Sequence, residues 1–571
     1  MKPSMLRRRR SALTPVLSIS LTLAIALPAF AQRQDSGATL NAQVDKVFAQ
    51  YDKPDSPGCA LAVIRDGAVI YKHGYGMADL DHDIPITPST VFHVASVSKQ
   101  FTAMAIMLLA KEGMISLDDP VRKYVPELRD FAAPVTIRHL LHHTSGLRDQ
   151  WNLLIMAGWR LSEDVVRDDD ILDLVSRMKA LNFKPGDQHL YCNTGYTLLA
   201  LIVKRVTGQS LRDYAETFIF KPLGMSRTFF RDDHTVTVKQ QAYAFQSGPN
   251  NSFKLSVPNY DTVGASSLLT TVEDLARWDQ NFYDKRVGGQ QVIEQMQTTG
   301  TLNDGEKIDY AFGLAVGKYR GLKIVEHGGA DAGYRSDLLR FPEQRFSVAC
   351  LCNLGSTNPG QLARKVADIW LAGQLAPEAP ERKQGESAIT LTEEEMKSKV
   401  GSYWNARTED LARVSINQGR LYLSIPGYNR ALTPLGSNRF QMTDQPGEVT
   451  FESPAGGGSG QMIIKAEGRK PIIFDAMPAA SPTTAQLAEY EGNYYSDELD
   501  ATYRVALKDD RLVVMRRKYN PTPLAPVFRD GFTTLSILGH VRFTRDEGQR
   551  VNGFIISAGR IRGLRFVRQA Q

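Results

Sequence analysis

The chain has little cysteine and no clear metal-binding pattern. Four cysteines in 571 residues are too few for a fold built on disulfides. Cys350 and Cys352 lie two apart in a strand-like run, so we expect both to point to one face as small buried hydrophobic residues. His139 and His143 have the spacing of a zinc helix, but Leu140 stands where a general-base glutamate is needed, which favours structural roles. We therefore expect neither a metal nor an organic cofactor.

The excess of positive charge is confined to the N-terminal segment. Lys2 and Arg7–Arg10 precede a mostly apolar stretch at 12–27, and Ala29–Ala31 has the small-x-small pattern of a cleavage site. Residues 1–31 are therefore predicted to be a secretory signal peptide. This would place the mature protein in the periplasm or outside the cell.

The rest of the chain is nearly neutral. Removal of the predicted signal peptide takes away five basic and no acidic residues, so the net charge falls from +6 to +1. Such a balance gives no reason to expect a nucleic-acid partner or an acidic membrane surface. No other run is long and apolar enough to span a bilayer, so we expect no membrane span after signal removal.

The first two thirds of the chain have the pattern of an α+β domain. Cys59–Ile64 and Ala68–Tyr71 are strand-like segments joined by a tight Asp-Gly turn, and further strands are predicted from residue 322. Strands at both ends of a helical middle predict an antiparallel sheet, assembled from distant parts, with helices packed on it. We place this domain at 32–375 and a proline-containing, charged linker at 376–389.

The last third is an internal repeat with a constant offset of 91 residues. The matching pairs are Gly401-Ser402-Tyr403-Trp404 with Gly492-Asn493-Tyr494-Tyr495, Arg413-Val414 with Arg504-Val505, Arg420-Leu421 with Arg511-Leu512, and Tyr428-Asn429 with Tyr519-Asn520. A fixed register over this length implies two copies of one module. Short alternating strands in each copy are typical of a small antiparallel barrel or sandwich. We predict one β-barrel at 390–478, with a flexible loop at 455–460, and a second at 485–571.

The central chemical motif is Ser96-Val97-Ser98-Lys99, at the start of an apolar run. Residues three apart share one face of a helix, so Lys99 would lie beside Ser96. A lysine in a dry site can have its pKa lowered by about 3–5 units and can then accept the proton of the serine. This motif alone is a weak signal, because a capped helix with a surface lysine has the same pattern.

Two further motifs follow in order along the chain. Tyr191-x-Asn193 supplies a phenol that could ionise partly beside a cationic lysine, and an amide that can donate to and accept from a substrate amide. His327-Gly328-Gly329 leaves an edge strand without side chains, on which an extended substrate could pair. Each motif is short, but the ordered combination is specific.

The ordered set resembles the penicillin-recognising serine hydrolases, a group that includes class C β-lactamases, D-alanyl-D-alanine carboxypeptidases, esterases and D-aminopeptidases. Flanking segments agree, among them His142–Leu147 and Ser267–Thr271. The resemblance implies a β-lactamase-like fold for residues 32–375 and catalysis through an acyl-enzyme. By this resemblance the catalytic residues are Ser96, Lys99 and Tyr191, the substrate-binding residues are Asn193, His327, Gly328, Gly329 and Ala330, and the backbone amides of Ser96 and Ala330 form the oxyanion hole.

Within this group the likeness is greatest to D-aminopeptidases, which also carry two β-barrel domains after the catalytic domain. The shared segments include Ser145–Asp149 and Tyr495–Asp500. His327 stands where β-lactamases have a lysine that holds a substrate carboxylate, and a histidine is only partly charged near neutral pH. In D-aminopeptidases a loop of the last barrel reaches over the active site. The matching stretch, at about 535–544, is short here, so we expect a more open site that admits longer peptides or esters.

The sequence thus predicts an exported serine hydrolase that forms an acyl-enzyme with a small peptide, amide or ester. β-Lactamase, D-alanyl-D-alanine carboxypeptidase and esterase activities of the same group remain alternatives. A non-catalytic cell-envelope protein that binds peptides or wall fragments is an alternative of another class. The barrels could serve as lids, dimer contacts or wall-binding modules, which leaves a homodimer open.

Overall fold

The computed structural model describes residues 38–377, 389–425, 428–443, 447–452, 460–466 and 469–570. The predicted signal peptide lies outside the described residues. So do most of the predicted linker at 376–389 and most of the predicted loop at 455–460.

The first part of the chain is built on a six-stranded antiparallel sheet. Its strands are β1 (Cys59–Arg65), β2 (Ala68–Tyr75), β3 (Ala315–Tyr319), β4 (Leu322–Asp331), β5 (Tyr334–Phe341) and β6 (Phe346–Cys352). They lie in the order β3-β4-β5-β6-β1-β2, so β1 pairs with both its hairpin partner and the distant β6. This confirms the predicted sheet assembled from distant parts of the chain.

Helices cover both faces of this sheet, which explains why β1 is apolar along its length. Ala60 and Ala62 belong to the larger core with the central helices, whereas Leu61 and Val63 belong to a second core with the helix Pro359–Trp370. A strand buried on both faces is expected to be a continuous apolar run rather than an alternating one.

The helices fill the middle of the chain, as predicted. They are 38–48, Lys99–Lys111, Ile137–Leu141, Gln150–Met156, Asp168–Arg177, Asn193–Thr207, Leu211–Ala215, Lys221–Leu223, Val272–Asp284, Gly289–Met296 and Pro359–Trp370. Short strands lie at Met77–Asp79, Ile84–Pro85, Phe92–His93, Phe229–Phe230, Phe245–Ser247, Phe253–Leu255 and Leu268–Thr270. Within the described residues, no helix has the length and apolarity that crossing a bilayer requires.

Two closed eight-stranded antiparallel barrels form the last third, as the repeat predicts. The strands of the first are Gly401–Asn405, Asp410–Asn417, Arg420–Ile425, Tyr428–Pro434, Arg439–Met442, Glu448–Glu452, Gln461–Lys465 and Ile472–Met477. Those of the second are Gly492–Ser496, Ala501–Lys508, Arg511–Met515, Thr522–Phe528, Gly531–Thr533, His540–Arg545, Val551–Ala558 and Ile561–Arg568. A short helix precedes each barrel, Glu393–Lys397 and Thr484–Ala488.

The second barrel is attached to the catalytic part by buried polar contacts. Arg148 is almost completely buried and forms an ion pair with Glu498. Tyr503 Oη donates a hydrogen bond of 2.6 Å to the carbonyl of Met156. Apolar residues of this barrel also belong to the larger core of the catalytic part. The barrel is therefore packed against the helix Gln150–Met156 and the residues just before it.

The prediction for Cys352 is wrong in one respect. Cys352 forms a disulfide with Cys59, and the two residues lie opposite each other in the β1–β6 pair. They are 293 residues apart, and the register that joins them is not visible in the sequence. Cys350, on the same face, is buried with a free thiol, as expected of a small hydrophobic residue.

We expect Cys59→Ser to lower the free energy of unfolding by about 2–5 kcal/mol, because the disulfide closes a very long loop in the unfolded chain. Denaturant unfolding with and without a reductant measures this. The reductant should destabilise the wild type but leave the variant unchanged, and an equal response of both proteins would contradict the disulfide.

Candidate active site

Ser96 lies in a tight turn that leads into a buried helix. The turn, Ala95–Ser98, is a 3-10 turn, and Ala95 has a φ of +48°, in the left-handed region that a residue with a Cβ rarely adopts. The Ser98 hydroxyl donates to the carbonyl of Ala95 and accepts from the amide of Leu268, so the turn is held from two sides. The turn presents Ser96, which is half-buried, to a cleft of about 1180 Å³.

Lys99 is completely buried and contacts the nucleophile. Its Nζ lies 3.1 Å from Ser96 Oγ, 2.9 Å from Asn193 Oδ1 and 2.7 Å from the carbonyl oxygen of Ala265. Burial lowers the pKa of Lys99 to about 7, and the positive charge of Arg560 acts in the same direction. When the amine is neutral, its two N–H groups can donate to Asn193 and Ala265, which leaves the lone pair for the serine proton.

Asn193 is held in place by Asp149, which is fully buried. Asp149 Oδ2 accepts from the backbone amide of Asn193 at 2.8 Å and from its Nδ2 at 2.9 Å. Asp149 Oδ1 accepts from the amide of Trp151 and so caps the helix that follows. The sequence predicted a side-chain amide free to bind substrate. Instead, Asn193 directs its oxygen at Lys99, and one Nδ2 hydrogen is left for a substrate.

Tyr191 lies in the same cleft, with Lys99 Nζ 4.8 Å from the centre of its ring. Burial raises the pKa of the Tyr191 phenol above its usual value, and the neighbouring Ser96 hydroxyl offsets this only in part. The expectation that Tyr191 ionises partly beside Lys99 is therefore wrong. The phenol stays protonated at neutral pH and can act as a proton donor and relay, while Lys99 is the group that titrates near neutrality.

His327 is buried and neutral. Its Nδ1 lies 2.7 Å from the carbonyl of Gly328 and must donate, so its Nε2, at 2.9 Å, accepts from the hydroxyl of Tyr310. Burial lowers the pKa of His327 to about 3, and the nearby Lys99 contributes. The sequence predicted a partly charged histidine. The structure gives an uncharged one, because an apolar and aromatic surrounding removes water from it.

The strand that carries His327 has a free edge at its end. β3 pairs with β4 only over residues 322–326, so residues 327–331 extend beyond it. Among the described residues, this end of β4 has a strand neighbour only on the β5 side. The sequence predicts that an extended substrate pairs with this strand, and the edge that such pairing requires is free beside the turn that carries Ser96.

Gly329 allows this edge to approach the nucleophile closely. A Cβ at Gly329 would lie 2.2 Å from Ser336 Oγ, 2.3 Å from the carbonyl of Val94 and 3.1 Å from the Cβ of Ala95. At Gly328 the corresponding contact is an ordinary 3.5 Å to Asp337 Oδ1. Of these two positions, only 329 requires a glycine because of close packing. It places the amide of Ala330, the next residue, near the turn.

The second barrel reaches the site through a turn at 559–560, not through the stretch at 535–544. The guanidinium of Arg560 lies 4.6 Å from the centre of the Tyr191 ring, and its Nη1 is 3.4 Å from Asp149 Oδ2. Arg560 also lines the cleft. The expected open site therefore has a basic residue of the last barrel at one wall.

The structure brings the sequence-predicted site residues together. All of them line the one cleft except Lys99, which lies beneath it. The motifs gave no role to Asp149 or Arg560. Asp149 has a signal in the sequence, since it stands in the helix N-cap position before Gln150. Arg560 has none, because its place depends on how the barrel docks.

The histidines with zinc-like spacing have other partners. His139 Nδ1 accepts from the amide of Thr136 in a capping box. His143 Nδ1 accepts from the amide of Cys192, and its ring packs 4.1 Å from the Tyr191 ring. His143 thus supports the segment that carries Tyr191.

Comparisons with known proteins identify the family of this chain. The family model described as Beta-lactamase matches residues 44–369. The D-aminopeptidase of Gluconobacter oxydans (strain 621H) is 28% identical over 472 residues, which cover 81% of this chain and 83% of that protein. Penicillin-binding protein 4* of Bacillus subtilis (strain 168) is 32% identical over 418 residues, or 70% of this chain and 91% of that protein.

Solved structures share the fold. The octameric penicillin-binding protein homologue from Pyrococcus abyssi has a TM-score of 0.52 at 24% identity, over 85% of this chain and 99% of that chain. The D-amino acid amidase from Ochrobactrum anthropi SV3, complexed with L-phenylalanine amide, has a TM-score of 0.50 at 22% identity, over 59% of this chain and 99% of that chain. The family model spans more than half of the sequence, and the chain belongs to the beta-lactamase family of serine hydrolases.

Proposed function

We propose that this protein is an exported hydrolase that cleaves small amides or peptides through an acyl-enzyme on Ser96, with D-aminopeptidase-like specificity. The observation that carries the proposal is the buried Lys99, whose amine contacts Ser96 Oγ and has a pKa lowered to about 7. The similarity to a protein named D-aminopeptidase over most of both chains supports the substrate class.

In the acylation step, Ser96 Oγ attacks the substrate carbonyl carbon as its proton moves to the neutral amine of Lys99. The carbonyl oxygen becomes an oxyanion, for which we assign the backbone amides of Ser96 and Ala330 as hydrogen-bond donors. Losing one such donor typically costs about 10²–10³ in rate. The free edge of β4 aligns the substrate backbone beside the serine.

The proton then has to reach the leaving group. Lys99 lies close to Tyr191, whose phenol stays protonated. Tyr191 can give its proton to the leaving amine and recover one from Lys99, after which the C–N bond breaks. Water then attacks the resulting ester and gives a proton to Lys99. Lys99 returns this proton to Ser96 Oγ as the bond between the acyl group and Ser96 breaks, which restores the free serine and the neutral amine.

Other features bear on location and on the choice within the family. The disulfide between Cys59 and Cys352 supports an exported location, since such bonds persist in oxidising compartments. The neutral His327 supplies no positive charge for a substrate carboxylate. This argues against efficient β-lactam turnover, so we expect little hydrolysis of nitrocefin.

Ser96→Ala should abolish labelling by a fluorophosphonate and reduce hydrolysis by about 10⁴–10⁶-fold, since it removes the nucleophile. Peptide mass mapping locates the adduct, and D- and L-aminoacyl amides with p-nitrophenyl esters test activity. Ser162→Ala, at an exposed serine on the same cleft, is the control and should label normally. Well-folded wild type without an adduct would favour the non-catalytic binding role.

The pH profile should report the titration of Lys99. Only the neutral amine can accept the serine proton, so kcat/KM should increase as the pH rises through about 7. Arg560→Gln removes a positive charge that lowers the pKa of Lys99, and should move this rise to higher pH. Arg562→Gln, on the same barrel hairpin, is the matched control. If the pH dependence of kcat/KM is the same in Arg560→Gln as in the wild type, Arg560 does not lower the pKa of Lys99.

Gly329→Ala should reduce kcat by at least about 10²-fold, because its Cβ would collide with the Val94 carbonyl and displace the oxyanion hole from Ser96. Gly328→Ala makes an ordinary contact and should cost much less. Kinetics of both variants, with thermal unfolding as a check on folding, make the comparison. Equal losses would show that close packing at Gly329 is not what positions the site.

A further inference from the structure

Asp331 is an acidic residue in the cleft with no role in the mechanism above. It is the last residue of β4 and shares a face of that strand with His327 and Gly329, because side chains alternate along a strand. Because Gly329 packs against the turn that carries Ser96, this turn lies between the side chains of His327 and Asp331. At about 3.3 Å per residue, His327 lies about 7 Å to one side of Gly329 and Asp331 about 7 Å to the other.

The carboxylate of Asp331 is held in a defined position. Its Oδ2 accepts hydrogen bonds from the hydroxyls of Tyr260 and Ser266, the latter at 3.1 Å. Behind it, 3.9 Å away, is Nε2 of the buried His93. His93 Nδ1 accepts from the amide of Ala95, so its Nε2 carries the hydrogen. This nitrogen lies 3.5 Å from the hydroxyls of Tyr260 and Ser266, the two groups that donate to the carboxylate.

In the part of the chain that the structure describes, Asp331 forms no ion pair with a lysine or an arginine. Its side chain is 25% exposed, towards the cleft. The nearby Arg335 donates instead to the carbonyls of Ala332 and Tyr334. A carboxylate that is oriented by neutral donors and open to a cleft is a site for a cation.

We propose that Asp331 binds the α-ammonium group of the substrate, and so restricts the enzyme to amides and peptides with a free N-terminal amine. The inference rests on the proposed hydrolysis at Ser96 and names its specificity determinant. The α-amine of an acyl residue is two bonds from the carbonyl carbon that Ser96 attacks. With the leaving group directed at Tyr191 and His327, the amine lies on the Asp331 side of the edge strand.

The placement of Asp331 also gives the two ends of a bound substrate different electrostatic surroundings. Tyr191 and the neutral His327 accompany the leaving group, whereas Asp331 is the carboxylate beside the acyl end. N-acetylation removes the positive charge of the amine and adds bulk at this point. An acetylated substrate would leave the carboxylate without its partner and should be rejected.

The test compares D- and L-alanine p-nitroanilide with their N-acetyl derivatives. In the wild type, kcat/KM for the better free amine should exceed that of its N-acetyl form by about 10- to 10²-fold, the range for a hydrogen bond to a charged group. Asp331→Asn keeps the size and the oxygen that accepts from Tyr260 and Ser266. It should bring the ratio close to one. Asp309→Asn, an exposed acid outside the cleft, changes net charge equally and should preserve the ratio.

Fluorophosphonate labelling of Ser96 separates this inference from the proposed function. Labelled wild type that shows no preference for free amines would overturn the role of Asp331 and leave the acyl-enzyme intact. If neither anilide is cleaved, labelling of Ser96 also provides the comparison. Alaninamide should then protect Ser96 against the fluorophosphonate better than N-acetylalaninamide does. A loss in Asp331→Asn that is equal for free and acetylated compounds would assign Asp331 a structural role and also overturn the proposal. Absence of labelling would refute the proposed function itself.

Discussion

The burial of Lys99 is the constraint on which the site depends. Holding a charged ammonium group away from water costs free energy. This cost favours the neutral amine, and so the pKa of Lys99 is lowered until the amine can lose its proton near neutral pH. Two fixed acceptors, Asn193 Oδ1 and the Ala265 carbonyl, take the N–H groups of the neutral amine. The third contact is the nucleophile. The hydrogen bonds that a buried amine requires thus also orient Lys99 so that it can activate Ser96.

Asp149 connects this device to the rest of the molecule. It fixes Asn193, caps the next helix and lies within 3.4 Å of Arg560 from the second barrel. Its neighbour Arg148 forms the buried ion pair that attaches this barrel. Arg560 lowers the pKa of Lys99, and Asp149 raises it. Barrel docking therefore sets the charge balance at the base, and the second barrel is part of the active site rather than an appended module.

The sequence allowed prediction of the features that local spacing and order encode. Ser96 and Lys99 meet because residues three apart share a helical face, and the 91-residue offset specifies two barrels whose first three strands start 91 residues apart. Features that arise from tertiary contacts escaped prediction. The Cys59–Cys352 disulfide depends on a strand register, and Arg560 on barrel docking. The protonation states of Tyr191 and His327 depend on burial, which short motifs do not convey.

The edge strand and the buried base are coupled through charge. The carboxylate of Asp331 raises the pKa of Lys99, although burial dominates. An ammonium group bound at Asp331 would cancel that effect and add positive charge near Lys99. Both changes lower the pKa of Lys99 and increase the neutral fraction that can accept the serine proton. Binding of the correct substrate would thus assist its own acylation, whereas an acetylated substrate would lose both the contact and this assistance. Specificity for a free amine would then appear in kcat as well as in KM.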